Sequence, residues 1–338
     1  MPTYRVAVAG AHRMLQRELA GHNWAAAFAA VSRCELVAVF DKGEDTRRQF
    51  VECWGPLPSF ADYDQMLAET RPHIVCVATR QTMHADQIET AARAGARGIL
   101  CEKPLATSLA EMDRITSVCR EYNLAFAFGL DRRWNRRYDR IVDAVRSGLV
   151  GEVQAITAYG IPSLVNLGCH WFDVALRLAG DPEVAWVSGT VDPLTNDPPD
   201  SRRHLDPPGS CRLGFTNGIE AFATSAGSGV EFDVVGSRGR AVLARDGAEV
   251  HYWRNDDPVV RRRRLALPPQ ARTWPRTVRD LVAALDVGTA TRCDSDCARR
   301  ATEISFGVHH SQRTGGGPVG PAEIDRGLRI ESSQWGNE

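Results

Sequence analysis

The stretch Arg5-Val6-Ala7-Val8-Ala9-Gly10-Ala11-His12-Arg13-Met14-Leu15 decides the fold. Its first five residues predict a buried strand that stops at glycine, and the residues after Gly10 predict a helix. A strand, a tight turn and a helix in that order open a Rossmann unit, where a pyrophosphate rests on the N–H groups of the helix start. Gly10 is the one glycine kept of the usual three, so the turn by itself is a weak fingerprint. His12 and Arg13 follow it as candidates for contact with a dinucleotide, and Arg13 is placed to compensate for the missing glycines by touching phosphate.

Outward from that turn, further strands are predicted at Leu36–Phe40, Ile74–Ala78, Gly98–Cys101 and Ala125–Phe128, with amphipathic helical stretches between them. This alternation specifies a parallel sheet covered by helices on both faces. After about residue 128 the rhythm changes. Helices are expected at Asn135–Ser147 and Leu167–Ala179 around a strand at Glu152–Gly160. Strand-like segments then dominate from Glu183 to Trp253, among them Cys211–Phe215, Ile219–Ala226 and Val230–Val235. Gly-rich and Asn-Gly turns separate them, as in antiparallel hairpins. Asp192–Gly209, rich in Pro, Asp and Arg, reads as a mobile surface loop. Helices near Trp274–Val287 and Asp294–Arg313 close the domain. The expectation is an α/β protein: a doubly wound parallel Rossmann domain over residues 1–128, and an α/β domain over 129–338 with a large, mainly antiparallel open sheet.

At 338 residues the chain is long enough for two cores. Its 41 lysines and arginines nearly balance 42 acidic residues, which gives no global field for nucleic acid or an anionic membrane. The basic run Arg261–Arg264 lacks interleaved aromatics and reads as a solvated surface feature. No apolar run approaches a bilayer span. Nine cysteines without framework spacing read as reduced thiols of a cytoplasmic protein. Cys293, Cys297, His309 and His310 fit no strong zinc signature, so no metal site is expected. A small-molecule partner is favoured.

The second strand ends in Phe40-Asp41, about thirty residues beyond the turn. An acidic residue there accepts hydrogen bonds from adenosine ribose hydroxyls, so Asp41 favours NAD. Lys42 beside it softens discrimination against a 2′-phosphate and leaves NADP open.

More specific motifs follow. Cys76-Val77-Ala78-Thr79-Arg80 with His84, and Cys101-Glu102-Lys103-Pro104-Leu105-Ala106, resemble segments of the glucose-fructose oxidoreductase, inositol dehydrogenase and rhizopine catabolism family (Gfo/Idh/MocA). Gly148-Leu149-Val150-Gly151-Glu152-Val153 and Asn166-Leu167-Gly168-Cys169-His170-Trp171-Phe172-Asp173 extend the resemblance over nearly the whole chain. It implies a dinucleotide site to which Ala78, Thr79, His84, Glu102 and Lys103 contribute. It also implies a reaction between a secondary alcohol or ketone of a sugar, cyclitol or glycoside and a nicotinamide cofactor, in a homodimer or homotetramer.

Lys103, at the carboxyl end of a parallel strand, is suited to stabilise an alkoxide as hydride leaves. His170 is the natural proton carrier. Asn166, His170 and Asp173 recur at i, i+4 and i+7 on one helix face. Asp173 and Tyr159 are alternative proton carriers, and with Arg132, Arg133, Trp134, Tyr138 and Asn166 they make up the substrate-binding candidates. Asn166 stands where the family commonly has Asp, and Arg80 where it has proline. The connection from Gly160 to Asn166 is short, which implies an open pocket suited to a larger glycoside. Two other functions stay open: a lyase or glycosidase that retains NAD and oxidises transiently, and a cofactor-binding regulator without turnover.

Overall fold

Tyr4, Val6, Ala7, Val8 and Ala9 are all buried, as a strand covered on both faces requires. The computed structural model describes residues 3–19, 21–192 and 203–331. The chain divides into two units, one of residues 1–106, 110–134 and 272–299, the other of residues 107–109, 135–271 and 300–338.

The first unit is built on strands β1 (Tyr4–Ala9), β2 (Cys34–Phe40), β3 (Ser59–Phe60), β4 (Ile74–Val77), β5 (Gly98–Cys101) and β6 (Ala125–Phe128). They form one parallel sheet in the order β3-β2-β1-β4-β5-β6. Between them run α1 (Trp24–Ala29), α2 (Glu44–Trp54), α3 (Tyr63–Thr70), α4 (Gln81–Arg93) and α5 (Leu109–Glu121). Strand order reverses between β1 and β4, and such a switch point opens a crevice at the carboxyl ends of the strands. The two-residue β3 escaped the sequence reading because it is too short to carry a periodic signal.

The residues after Gly10 do not form the expected helix. They make turns and bends, and α1 begins only at Trp24. Asn23 explains the late start: Oδ1 accepts the N–H of Ala26 at 3.0 Å, and Nδ2 donates to the carbonyls of Gln16 and Glu18 at 2.6 and 2.9 Å. A side chain that satisfies both the helix start and the preceding turn places the cap there.

The second unit contains α6 (Arg136–Arg146), β7 (Val153–Tyr159), α7 (Gly168–Ala179), β8 (Val184–Val191), β9 (Arg203–Leu205), β10 (Gly209–Phe215), β11 (Glu220–Ala223), β12 (Glu231–Gly236), β13 (Gly239–Ala244), β14 (Glu249–Arg254) and β15 (Arg263–Arg264). An eight-stranded sheet runs β15-β14-β13-β12-β7-β11-β10-β8, antiparallel except where β11 pairs with β7. Helix α7 is buried on every residue, which suits its apolar composition and its packing against β7.

Helix α8 (Trp274–Val287), expected to close the second domain, falls in the first unit. Val278, Leu281 and Val282 join one core with Val6, Phe28 and Leu100. The chain therefore returns to its first core late, a long-range pairing that periodicity does not reveal. The unit boundary falls within α9 (Ser295–Arg313), and β16 (Arg329–Glu331) follows it. Part of the expected loop Asp192–Gly209 is instead β9, paired in parallel with β16. Residues 193–202 of that loop lie outside the described residues. Among the described residues no helix is long and apolar enough to cross a membrane.

Candidate active site

In the first unit, β1, β2 and β4 bring Gly10, Asp41, Ala78 and Thr79 together. Gly10 has a left-handed backbone (φ 87°) and donates its N–H to the carbonyl of Phe40 at 2.9 Å. A Cβ at Gly10 would lie 2.5 Å from the carbonyl oxygen of Ala78 and 2.7 Å from the nitrogen of Thr79. Only glycine permits that approach. Asp41 accepts the N–H of Ala11 on Oδ2 at 2.8 Å and the N–H of Gly43 on Oδ1 at 2.9 Å. The first N–H after Gly10 is therefore engaged by the protein itself. With α1 starting at Trp24, the expected row of helix N–H groups for phosphate does not follow Gly10. His12, Arg13 and Lys42 are exposed.

A dinucleotide still fits this end of the sheet. A close-packed glycine turn and a half-buried carboxylate stand at neighbouring strand ends, and each Asp41 oxygen keeps a second lone pair for a ribose hydroxyl.

The β4 end is braced by α4. Thr79 Oγ1 donates to Gln87 Oε1 at 2.6 Å. His84 is fully buried, with Nε2 3.1 Å from the carbonyl of Thr79 and Nδ1 3.1 Å from that of Leu105. Burial lowers its pKa and outweighs those two carbonyls. His84 thus ties two loops together from beneath, so its expected place as a cofactor contact becomes one of support. Gln87 carried no sequence signal.

Lys103 follows β5, partly buried, and the peptide bond joining it to Pro104 is cis. Glu102 beside it is 8% exposed. Its Oε1 lies 2.8 Å from His22 Nδ1 and accepts the indole N–H of Trp24 at 2.6 Å, while Oε2 accepts the N–H of Lys103 at 2.9 Å. Burial alone would push the Glu102 carboxyl up. His22, Lys103 and Trp24 outweigh it and hold the group at about 2.

Two substrate-binding candidates prove to be core. Trp134 is 1% exposed and donates its indole N–H to Asp280 Oδ2 at 3.0 Å. In the second unit Tyr138 is fully buried, with its hydroxyl 2.7 Å from Asp246 Oδ1. Each aromatic polar tip has found an internal partner, as buried Trp and Tyr require. Arg133 is buried as well, and Arg132 lies 3.6 Å from Asp131.

Within the second unit, α7 carries His170 and Asp173, while Asn166, expected on the same helix face, precedes the helix cap at Leu167; all three are buried. Asn166 sits just before the helix. The turn leading into it is fastened by Asp206, which accepts the N–H of Val165 on Oδ1 at 2.7 Å and that of Asn166 on Oδ2 at 2.8 Å. Burial raises the Asp206 carboxyl to about 6 against the pull of those N–H groups. Asp206 lay inside the stretch expected to be a mobile loop, so sequence reasoning passed over it. Tyr159 does not join this group. Its side chain alternates away from buried Ile156 and Ala158, and its hydroxyl donates to Asp233 at 3.1 Å, beside Arg240. Burial first, then Asp233, raises the pKa of Tyr159. A phenol held in that way is a poor substitute proton carrier. Among the described residues no group of three or more His, Cys, Asp and Glu side chains could hold a metal; Cys293 and Cys297 form a pair, with sulfurs 3.4 Å apart.

Residues 4–130 match the family described as oxidoreductase family, NAD-binding Rossmann fold (Gfo/Idh/MocA). That match covers the N-terminal Rossmann part of the chain. Similar curated proteins include a myo-inositol 2-dehydrogenase from Thermotoga maritima, 26% identical over 46% of this chain and 51% of that protein. A D-glucoside 3-dehydrogenase from Escherichia coli is 24% identical over 54% of this chain and 56% of its own. The chain thus spans about half the length of the curated relatives it matches. Similar folds include a levoglucosan dehydrogenase in complex with NADH and levoglucosan, with TM-score 0.77 and 16% identity over 94% of this chain and 99% of that one. Another is a 3-ketoreductase from Actinomadura kijaniata in complex with TDP-benzene and NADP, with TM-score 0.72 and 21% identity over 98% and 99%. In this chain the strand order places Gly10, Asp41 and Lys103 at one end of the Rossmann sheet.

Proposed function

We propose that this chain is a nicotinamide-dependent oxidoreductase that interconverts a secondary alcohol and a ketone on a sugar, cyclitol or glycoside. The observation that carries the reading is the Glu102-Lys103 corner at the end of β5. Of the 41 basic residues only Lys42 and Lys103 are lysines. In a chain that otherwise uses arginine, a compact ammonium stands where three donors to Glu102 anchor its backbone. The names of the relatives, an inositol dehydrogenase and a glucoside dehydrogenase, support a cyclitol or glycoside substrate.

Bound NAD or NADP supplies the two-electron acceptor. Asp41 takes the ribose hydroxyls and favours NAD, and Gly10 lets the backbone approach. Lys103 donates a hydrogen bond to the reacting oxygen and stabilises its developing negative charge. His170 accepts the hydroxyl proton during oxidation and returns it during reduction. Within this reading the enzyme is cytoplasmic and works as a homodimer or homotetramer.

A panel of polyols, cyclitols and glycosides, followed by the absorbance of reduced cofactor, tests the proposal. Turnover with at least one secondary alcohol is expected, lost in Lys103→Met. Binding of NAD and NADP without turnover across the panel, in either direction, would leave the regulator as the better reading.

A further inference from the structure

His22 lies in the segment between Gly10 and α1, remote in sequence from the Glu-Lys-Pro corner. Its left-handed backbone (φ 64°) is rare for a residue with a side chain and aims the ring at Glu102. Nδ1 stands 2.8 Å from Oε1 and shares that oxygen with the indole N–H of Trp24. Oε2 holds the N–H of Lys103 itself. A carboxylate is one rigid plane, so whatever fixes Oε1 also fixes Oε2 and the peptide it holds. Trp24 is 1% exposed and locked by packing, whereas His22 keeps 34% of its side chain exposed and can be changed without opening the core.

We propose that His22 is a positioning residue for Lys103: by fastening Glu102 from the β1–α1 segment, it sets the backbone from which the lysine reaches the substrate. The segment that replaces the missing phosphate-binding helix start thereby supports the reacting lysine. The functional consequence rests on the reaction proposed above, but the clasp itself does not.

Two variants separate the donor from the backbone shape. His22→Gly accepts the left-handed conformation and removes the donor. His22→Asn also tolerates that conformation and carries an amide N–H at the place of Nδ1. Hydrogen exchange of the Lys103 amide in the full-length protein without cofactor is expected to quicken about tenfold in His22→Gly, the scale of one charge-assisted hydrogen bond. Amides of β1 and β4 should keep their rates. In turnover, kcat should fall by about the same factor with KM nearly unchanged, and His22→Asn should restore both measurements. Unchanged Lys103 exchange in His22→Gly would overturn the clasp, as would a His22→Asn variant no better than His22→Gly. If Lys103→Met retained full turnover, the proposed reaction would fail while the exchange result still decided the clasp.

Discussion

The carboxylate of Asp41 accepts the backbone N–H of Ala11 at 2.8 Å and joins the turn after β1 to the end of β2. Its other oxygen holds Gly43 at the start of α2. Asp41 is thus a clip between two turns as well as the proposed ribose acceptor. Asp41→Ser is expected to narrow the preference for NAD over NADP and also to weaken both cofactors, roughly tenfold or more, because the Gly10 turn loses its tether. Calorimetric titration of both dinucleotides checks it. Gain of NADP affinity with undiminished NAD affinity would refute the double role.

Lys103→Met and His170→Ala are each expected to lower kcat by roughly a hundredfold, the usual effect of removing electrostatic or acid–base assistance. Circular dichroism and cofactor fluorescence should show that the variants fold and bind. A variant with near-normal turnover on the true substrate would show that its residue has another role.

What the sequence made legible was whatever repeats or stands in local order. The β1 strand, the later strands to Phe128 and the β10–β11 hairpin carry periodicity and turn residues and formed where expected, whereas β11 and β12, read as a hairpin, each pair with β7 instead. The unread features depend on partners distant in the chain. Nothing local says that His22 and Trp24 meet Glu102, or that α8 returns to the first core. Trp134 and Tyr138 looked like pocket residues because a motif shows which side chains are present but not which way they point. Burial, with Asp280 and Asp246 as partners, decided against both.

Asp206 makes stability depend on pH in an unusual direction. Its folded carboxyl, raised to about 6 from an ordinary 3.8, binds a proton more tightly than the unfolded chain does. Stability from this group is therefore full at low pH and is lost as pH rises from about 4 through 6, by an amount on the order of 3 kcal/mol. Asp206→Asn removes that dependence. Urea unfolding of both proteins across this range should show wild type losing ground to the variant as pH rises. A wild type that gains on the variant over the same range would refute the assignment.

The final expectation concerns Asn166, whose N–H is held by Asp206 at 2.8 Å, one turn before His170. A carboxylate introduced there would favour a charged imidazole, so Asn166→Asp is expected to move the acidic limb of kcat/KM for alcohol oxidation upward, by up to about one unit. The structure adds a cost. Asn166 is 1% exposed and its backbone already faces a buried carboxylate. Two acids in that turn cannot both ionise cheaply, so the variant should also be less stable than wild type above about pH 6. Paired pH series of kcat/KM and of thermal melting test both parts. If the limb stays in place while stability falls, the side chain at 166 does not act on His170, and Asp173 becomes the next residue to replace.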